Sequence, residues 1–144
     1  DVVIASGLEE NVLIRLTSGE RVGTFFKASV SRLESRKRWM LSGLAGGADK
    51  RKIKIDTGAI KAITDRNSSL LPAGVVGSSG CFKRGDIVSI SDEKGVVVAA
   101  GITNYASKDL LQIGKVRSDR IEEILGYHYG DEVVHRDNLV LLVD

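Results

Sequence analysis

Short apolar runs broken by polar turns, not long amphipathic stripes, set the rhythm of this chain. Residues 2–5 open with Val2-Val3-Ile4 and read as a buried strand. Residues 11–16 read as a short helix with Gly19 just beyond its end, and 21–26 as a returning strand. A strand, helix and strand this short cannot bury both faces of a sheet, so residues 1–30 are expected to be the remnant of a larger α/β domain. From 31 to 44 the spacing changes. Leu33, Trp39, Met40 and Leu44 are set among cations, and Ser31 with Glu34 makes a capping box, which predicts a helix. The turn-like stretch 46–51 follows, so 31–50 is expected to be an interdomain helix and loop.

Beyond residue 50 the period shortens. Residues 52–56 alternate, with Ile53 and Ile55 on one face, as a half-buried strand does; Asp56 or Thr57 then caps a helix carrying Ile60 and Ile63. Val75-Val76, residues 87–90 and residues 96–102 read as further strands, the last two joined by a hairpin turn at Asp92-Glu93-Lys94-Gly95 where Gly95 takes positive φ. Ser107 and Ser118 are placed to cap two short helices, with Gly114 and Gly126 past their ends, and 139–143 forms a last strand that would close a barrel. Several short strands at close spacing predict a small mixed β-barrel, mainly β with short helices, over residues 51–144.

Composition narrows the class. At 144 residues, 42% hydrophobic and 28% charged, the chain supports an ordinary globular core. No apolar run is long enough for a bilayer span and no secretory signal opens the chain, so a cytoplasmic protein with no membrane partner is expected. The start at Asp1, directly ahead of an apolar run, suggests a fragment. One cysteine, Cys81, excludes an internal disulfide; with only His128 and His135 beside it, no metal site is expected. Cys81 beside Phe82 reads as a small buried hydrophobe. The net charge of +2 conceals an asymmetry: residues 27–66 hold eleven Lys/Arg against four Asp/Glu. Such a concentration suits phosphate neutralisation, or simply a solvated helix face and a lysine-rich turn.

The chemistry-bearing stretch runs from Asp56-Thr57-Gly58-Ala59 to Ser69-Leu70-Leu71-Pro72-Ala73-Gly74. Gly58 lacks a Cβ where a nucleic-acid backbone could approach, and the following helix N-terminus offers N–H groups to a phosphate. Equally, Gly58 and Gly74 serve as turn glycines and Leu70 and Leu71 as core anchors, each leucine worth about 2 kcal/mol when buried. Arg36, Lys37 and Arg38 fan around one helical turn as a second basic patch, with Trp39 packing against a neighbouring domain. His135-Arg136-Asp137-Asn138 lacks the partner motifs of a protein-kinase catalytic loop and reads as a turn, with Arg136 tied to Asp131 or Glu132. No Walker loop, nucleophile elbow, zinc-type His/Glu pair or dinucleotide fingerprint occurs.

The order of parts from Ile53 to Thr103 resembles a PUA domain, a small β-rich module that usually binds RNA. Val22-Gly23-Thr24-Phe25-Phe26, Arg36-Lys37-Arg38-Trp39, Ile124-Leu125-Gly126-Tyr127 and His135-Arg136-Asp137-Asn138-Leu139 are similar to the C-terminal part of bacterial glutamate 5-kinases. The PUA resemblance implies an RNA-facing groove with Gly58, Ala59 and Lys61 at the backbone, Arg66 supplying charge, and Ser69 to Gly74 setting shape. The kinase resemblance implies a parent that uses ATP and Mg²⁺ to phosphorylate L-glutamate at the start of proline biosynthesis, with its kinase domain upstream and a homo-oligomeric assembly. It assigns no catalytic or cofactor-binding residue to this segment, which is expected to be inactive alone. The alternative is a separate RNA-binding module acting on structured RNA. Aromatic side chains are few, and none lies between 56 and 74, so RNA contact there is expected to read shape and backbone.

Overall fold

The computed structural model describes residues 1–28, 38–43 and 50–142. The chain divides into two compact units, Asp1–Ser35 and Arg36–Asp144. In the first, β1 (Val2–Ile4) pairs antiparallel with β2 (Thr24–Phe26), Val3 opposite Phe25, and α1 (Val12–Thr17) lies between them in sequence. Arg15 of α1 forks to Glu9 and Glu20 at 3.0 and 2.6 Å and so ties the flanking turns together. The expectation of a buried first strand is not met. Val2, Val3, Ile4, Phe25 and Phe26 are all exposed, and Val22 is the buried hydrophobic residue among those described in this unit. Among the described residues, two three-residue strands and a six-residue helix supply no second layer to cover a sheet face.

The second unit holds a five-stranded mixed sheet of order β4-β3-β5-β6-β7. Its strands are β3 (Lys52–Ile55), β4 (Val75–Ser79), β5 (Ile87–Ser91), β6 (Val97–Ile102) and β7 (Leu139–Leu141). In β3 the alternation is complete: Ile53 and Ile55 are fully buried, Lys54 is exposed. β3 pairs antiparallel with β4 and parallel with β5, Ile53 standing opposite Ser78 on one edge and Ile90 on the other. β5 and β6 are buried along most of their length; β6 is apolar throughout, whereas β5 interleaves the buried Ser89 and Ser91 with Val88 and Ile90. Their hairpin turns where predicted. Gly95 adopts φ 90°, its N–H donates to Asp92 O, and Val96 N–H donates to Asp92 Oδ1 at 2.8 Å.

Helices fill the space around the sheet: α2 (Thr57–Asp65), α3 (Ser107–Ile113) and α4 (Ile121–Leu125), with 3₁₀ turns at Pro72–Gly74, Ser118–Arg120 and Arg136–Asn138. Ile63, Leu110, Ile113 and Ile121 carry their faces into the core with Phe82, Val88 and Tyr105. A helical stretch over 38–43 buries Met40 completely and sets Gly43 on Ile87 of β5. Trp39, expected to pack, is exposed; one helical face points inward here and Met40 occupies it. The Ser31–Glu34 capping box, Arg36, Lys37 and most of the loop expected at 46–51 lie outside the described residues.

Three local expectations are corrected. Ser107 and Ser118 do not cap: Ala106 precedes α3, with its N–H donating to Asp109 Oδ2 at 3.0 Å, while Ser118 Oγ donates to Asp131 O at 2.7 Å. Arg136 stands nearest Asp137, at 3.9 Å, because the 3₁₀ turn keeps the two adjacent. Cys81 is exposed, since Phe82 beside it takes the inward position after β4. The chain is mainly β and mixed, as expected, but β7 does not close a ring: it pairs with β6, and β4 stands at the opposite end of the sheet. Among the described residues one isolated bridge, outside the named strands, joins the segments that precede β4 and β7, with Leu70 N–H donating to Val134 O at 2.9 Å and Val133 N–H to Leu70 O at 2.7 Å.

The last pairing depends on a close approach. A Cβ at Gly101 of β6 would lie 2.5 Å from Val134 Cγ1 and 3.0 Å from Asn138 O. Gly101→Ala is therefore expected to lower the unfolding free energy by about 1–3 kcal/mol in urea denaturation. Leu111→Ala, at an exposed position of α3, should stay within about 0.5 kcal/mol of the unchanged chain.

Candidate nucleic-acid interface

The chain leaves β3 at Asp56 and returns to its neighbour β4 only at Val75, and the excursion between them walls a groove of about 350 Å³. Asp56 starts α2 in extended conformation and its Oδ1 accepts the Ala59 N–H at 2.8 Å, an N-cap of the expected kind. At the other end Asn67 turns through φ 48°, which lets Ser68 N–H reach Ala62 O. The chain then runs back along the helix. Leu70 is buried and anchored by its bridge to Val134, Ser69 Oγ accepts Arg136 N–H at 3.0 Å, and Asp56 N–H donates to Gly74 O at 3.0 Å. Gly74 is demanded by packing: a Cβ there would overlap that of Ala59. That contact draws the 3₁₀ turn onto the first turn of α2.

Of the expected site residues, Gly58, Ala59, Ser69 and Gly74 line this groove together. Lys61 and Arg66 do not: Lys61 is exposed on α2 and Arg66 at its C-cap, both outside the lining. Arg38 is exposed in the helical stretch 38–43, and its partners in the basic patch fall outside the described residues. Leu71, paired with Leu70 as a core anchor by sequence, is 45% exposed and forms part of the groove wall. A successive pair in extended chain points to opposite sides, so one leucine faces the core and the next faces out. The helix N-terminus differs from expectation as well. The Asp56 carboxylate already occupies it, takes the Ala59 N–H, and places negative charge where a phosphate was expected to sit. The walls are otherwise small: Ala62, Ser68 and Ala73 complete them.

A second cluster lies elsewhere and was not singled out from the sequence. Tyr129 packs at 5.0 Å on Tyr127 and 6.0 Å on Tyr105, and the Arg84 guanidinium sits 4.0 Å from the Tyr129 ring centroid. Tyr105 is buried; its hydroxyl donates to Gly130 O at 2.6 Å and accepts the Tyr129 N–H at 3.0 Å. Tyr127 donates to Asp109 Oδ1 at 2.8 Å, and Asp109 is itself buried. The available signal was the spacing Tyr127-His128-Tyr129, which puts two rings on one side of an extended segment.

Comparison with known proteins places this geometry. The PUA domain family matches residues 51–125, just over half of the chain. The chain belongs to that family. Its match spans β3, α2, the groove, β4 to β6 and the two following helices. Beyond the PUA domain, the chain is similar to curated glutamate 5-kinases: 47% identical over 139 residues to that of Herpetosiphon aurantiacus, covering 96% of this chain. To that of Shewanella halifaxensis it is 46% identical over 142 residues, covering 99% of this chain. In both cases the chain spans 37% of the relative's length and corresponds to the C-terminal PUA portion. A solved PUA domain from Aeropyrum pernix is 28% identical with a TM-score of 0.43, covering 60% of this chain and 41% of that one. Among the described residues, no group of three or more His, Cys, Asp or Glu is placed to hold a metal ion, and no helix is long and apolar enough to cross a membrane.

The tyrosine cluster makes the PUA unit sensitive to alkali. The hydrogen bond to Asp109, with desolvation and the charge of that carboxylate behind it, pushes the Tyr127 hydroxyl up to about 12 from 10.0. The folded state thus holds this proton more tightly than the unfolded chain does. Its stabilising contribution is complete below pH 10.0 and is lost as pH rises toward about 12. In urea titrations across that window Tyr127→Phe should flatten the fall in stability. Part of the slope should survive, because burial also raises Tyr105. An unchanged slope in Tyr127→Phe would show that the Asp109 bond does not stabilise the fold.

Proposed function

We propose that this chain is the regulatory, RNA-contacting part of a glutamate 5-kinase. The observation that carries the reading is the reach of the similarity. It extends over 96% and 99% of the chain in two relatives, well outside the PUA match at 51–125 and into the β1–α1–β2 unit. The exposed apolar side chains of that unit, Val2, Ile4 and Phe25 among them, support its belonging to a larger domain that would cover them, the upstream kinase domain. In such a protein a carboxylate oxygen of L-glutamate attacks the γ-phosphorus of ATP, ADP leaves, and the acyl phosphate that opens proline biosynthesis forms. Mg²⁺ and cationic groups stabilise the charge on the transferring phosphoryl. Those groups are assigned to the part of the protein outside this chain. Alone, with ATP, Mg²⁺ and glutamate, the 144-residue chain is expected to yield no acyl phosphate when hydroxylamine is used as the trap. Hydroxamate formation above a protein-free blank would overturn the assignment.

The groove is assigned to the backbone of structured RNA. Its largely small walls would admit a sugar–phosphate strand closely, and Lys61 and Arg66, exposed on and just after the helix that walls it, have no ion-pair partners among the described residues. The Asp56 carboxylate at the helix N-terminus disfavours a phosphate at that point, so the strand would be gripped from the flanks. Affinity for an RNA hairpin should fall steeply with salt, and Lys61→Ala with Arg66→Ala should weaken it and reduce the salt slope by about 2. No binding at low salt, or binding indifferent to both substitutions, would defeat the groove assignment.

A further inference from the structure

Away from the groove, one exposed cation is held by an aromatic ring instead of a carboxylate. Arg84 lies over Tyr129 at 4.0 Å and, among the described residues, makes no ion pair. Its guanidinium is planar and carries five donors, so a ring on one face leaves it able to stack and to donate at its edges. The support is rigid. Tyr129 is 43% exposed, yet its ring rests on Tyr127 and Tyr105, and both of those are tethered by hydrogen bonds to Asp109 and Gly130.

The charge around this pair does not suit a run of phosphates. Asp131 and Glu132 follow Tyr129 closely in the chain, and the neighbouring His128 is already engaged by Asp131 at 3.1 Å. A planar, uncharged ring is better matched to the site than a polyanion. A short run of contacts leads from the site toward the groove: Leu71 and Ala73 line both the groove and a second hollow of about 370 Å³ whose wall includes Asp131, and Asp131 holds His128, the residue before Tyr129.

We propose that Arg84 and Tyr129 form a stacking platform for one unpaired base of an RNA whose backbone lies along the groove. This rests on the RNA-binding reading of the groove and adds to it a second contact of different physics. Base stacking is tolerant of sequence and insensitive to counterion release, whereas the groove contact is electrostatic.

The test uses the whole chain and two fluorescein-labelled RNA hairpins, one blunt and one with a short single-stranded 3′ tail. The tailed RNA should bind about 10-fold tighter. Arg84→Lys, which keeps the charge and loses the plane, and Tyr129→Ala should each remove that advantage. Both should leave the blunt hairpin's affinity and salt slope unchanged, and Tyr129→Phe should retain the tail effect. Arg84 is exposed, so Arg84→Lys keeps the test informative even where Tyr129→Ala fails to fold. A tail advantage that is absent in the unchanged chain, or that survives Arg84→Lys, overturns the platform. If blunt hairpin binding still responds to Lys61 and Arg66 in that case, the groove reading stands and the platform alone is lost; if neither hairpin binds, both fall.

Discussion

The double pairing of β3 organises the PUA unit. Ile53 and Ile55 are fully buried, and the strand that carries them is held antiparallel to β4 on one edge and parallel to β5 on the other. A tight hairpin would suffice to join β3 to an antiparallel neighbour. Here the chain instead takes α2, a return loop and a 3₁₀ turn before entering β4. Because both strand ends are pinned in the sheet, this excursion is held at its two feet, and Asp56 N–H to Gly74 O closes it. The groove is the space inside that loop. Its shape is therefore inherited from sheet pairing, and any change that slips the register of β3 would move the groove walls with it.

The same constraint explains why most of the groove lining is small, Leu70, Leu71 and Asp56 apart. With α2 and the 3₁₀ turn drawn into contact through Gly74 and Ala59, there is no room for a Cβ at Gly74. Small walls leave few donors and acceptors for reading bases. What remains is shape, nearby cations and a carboxylate at the helix end. Under the proposed RNA reading, such a surface would discriminate sequence poorly and strand path better.

Much of this was legible from the residues, and the failures have physical causes. The alternation of Ile53 and Ile55, the capping aspartate before α2, and the Asp92–Gly95 turn are local signals, and each element formed where those signals lay. Burial was harder to read. Val2 to Ile4 are apolar in sequence and exposed in the unit they occupy, and Trp39 yields the inward face to Met40. Apolar content predicts that a surface wants covering, not what covers it. Cys81 and Leu71 went wrong for a related reason: each adjoins a buried neighbour, and alternation along extended chain sends one of each pair outward. The lack of strand pairing between β4 and β7 was illegible because it depends on where Leu70 meets Val134, two residues far apart in the chain. The tyrosine cluster gathers positions 84, 105, 109, 127 and 129 for the same kind of reason.

The two surfaces differ in what builds them. The groove exists because the chain makes an excursion between two paired strands, and any charge contact along it would be screened by salt. The Arg84–Tyr129 pair exists because a buried aspartate and a buried tyrosine hold a third ring at the surface, and it contributes through contact that salt leaves largely intact. Both lean on the segment before β7, since Val134 and Arg136 hold Leu70 and Ser69 of the groove loop while Gly130 holds Tyr105 beneath the exposed ring. The link between them runs through Asp131, which lines a hollow sharing Leu71 and Ala73 with the groove and holds His128 beside Tyr129. A ligand long enough to touch both would combine an electrostatic and a stacking contribution in one intramolecular step, and the second contact would then form at a high effective concentration set by the first.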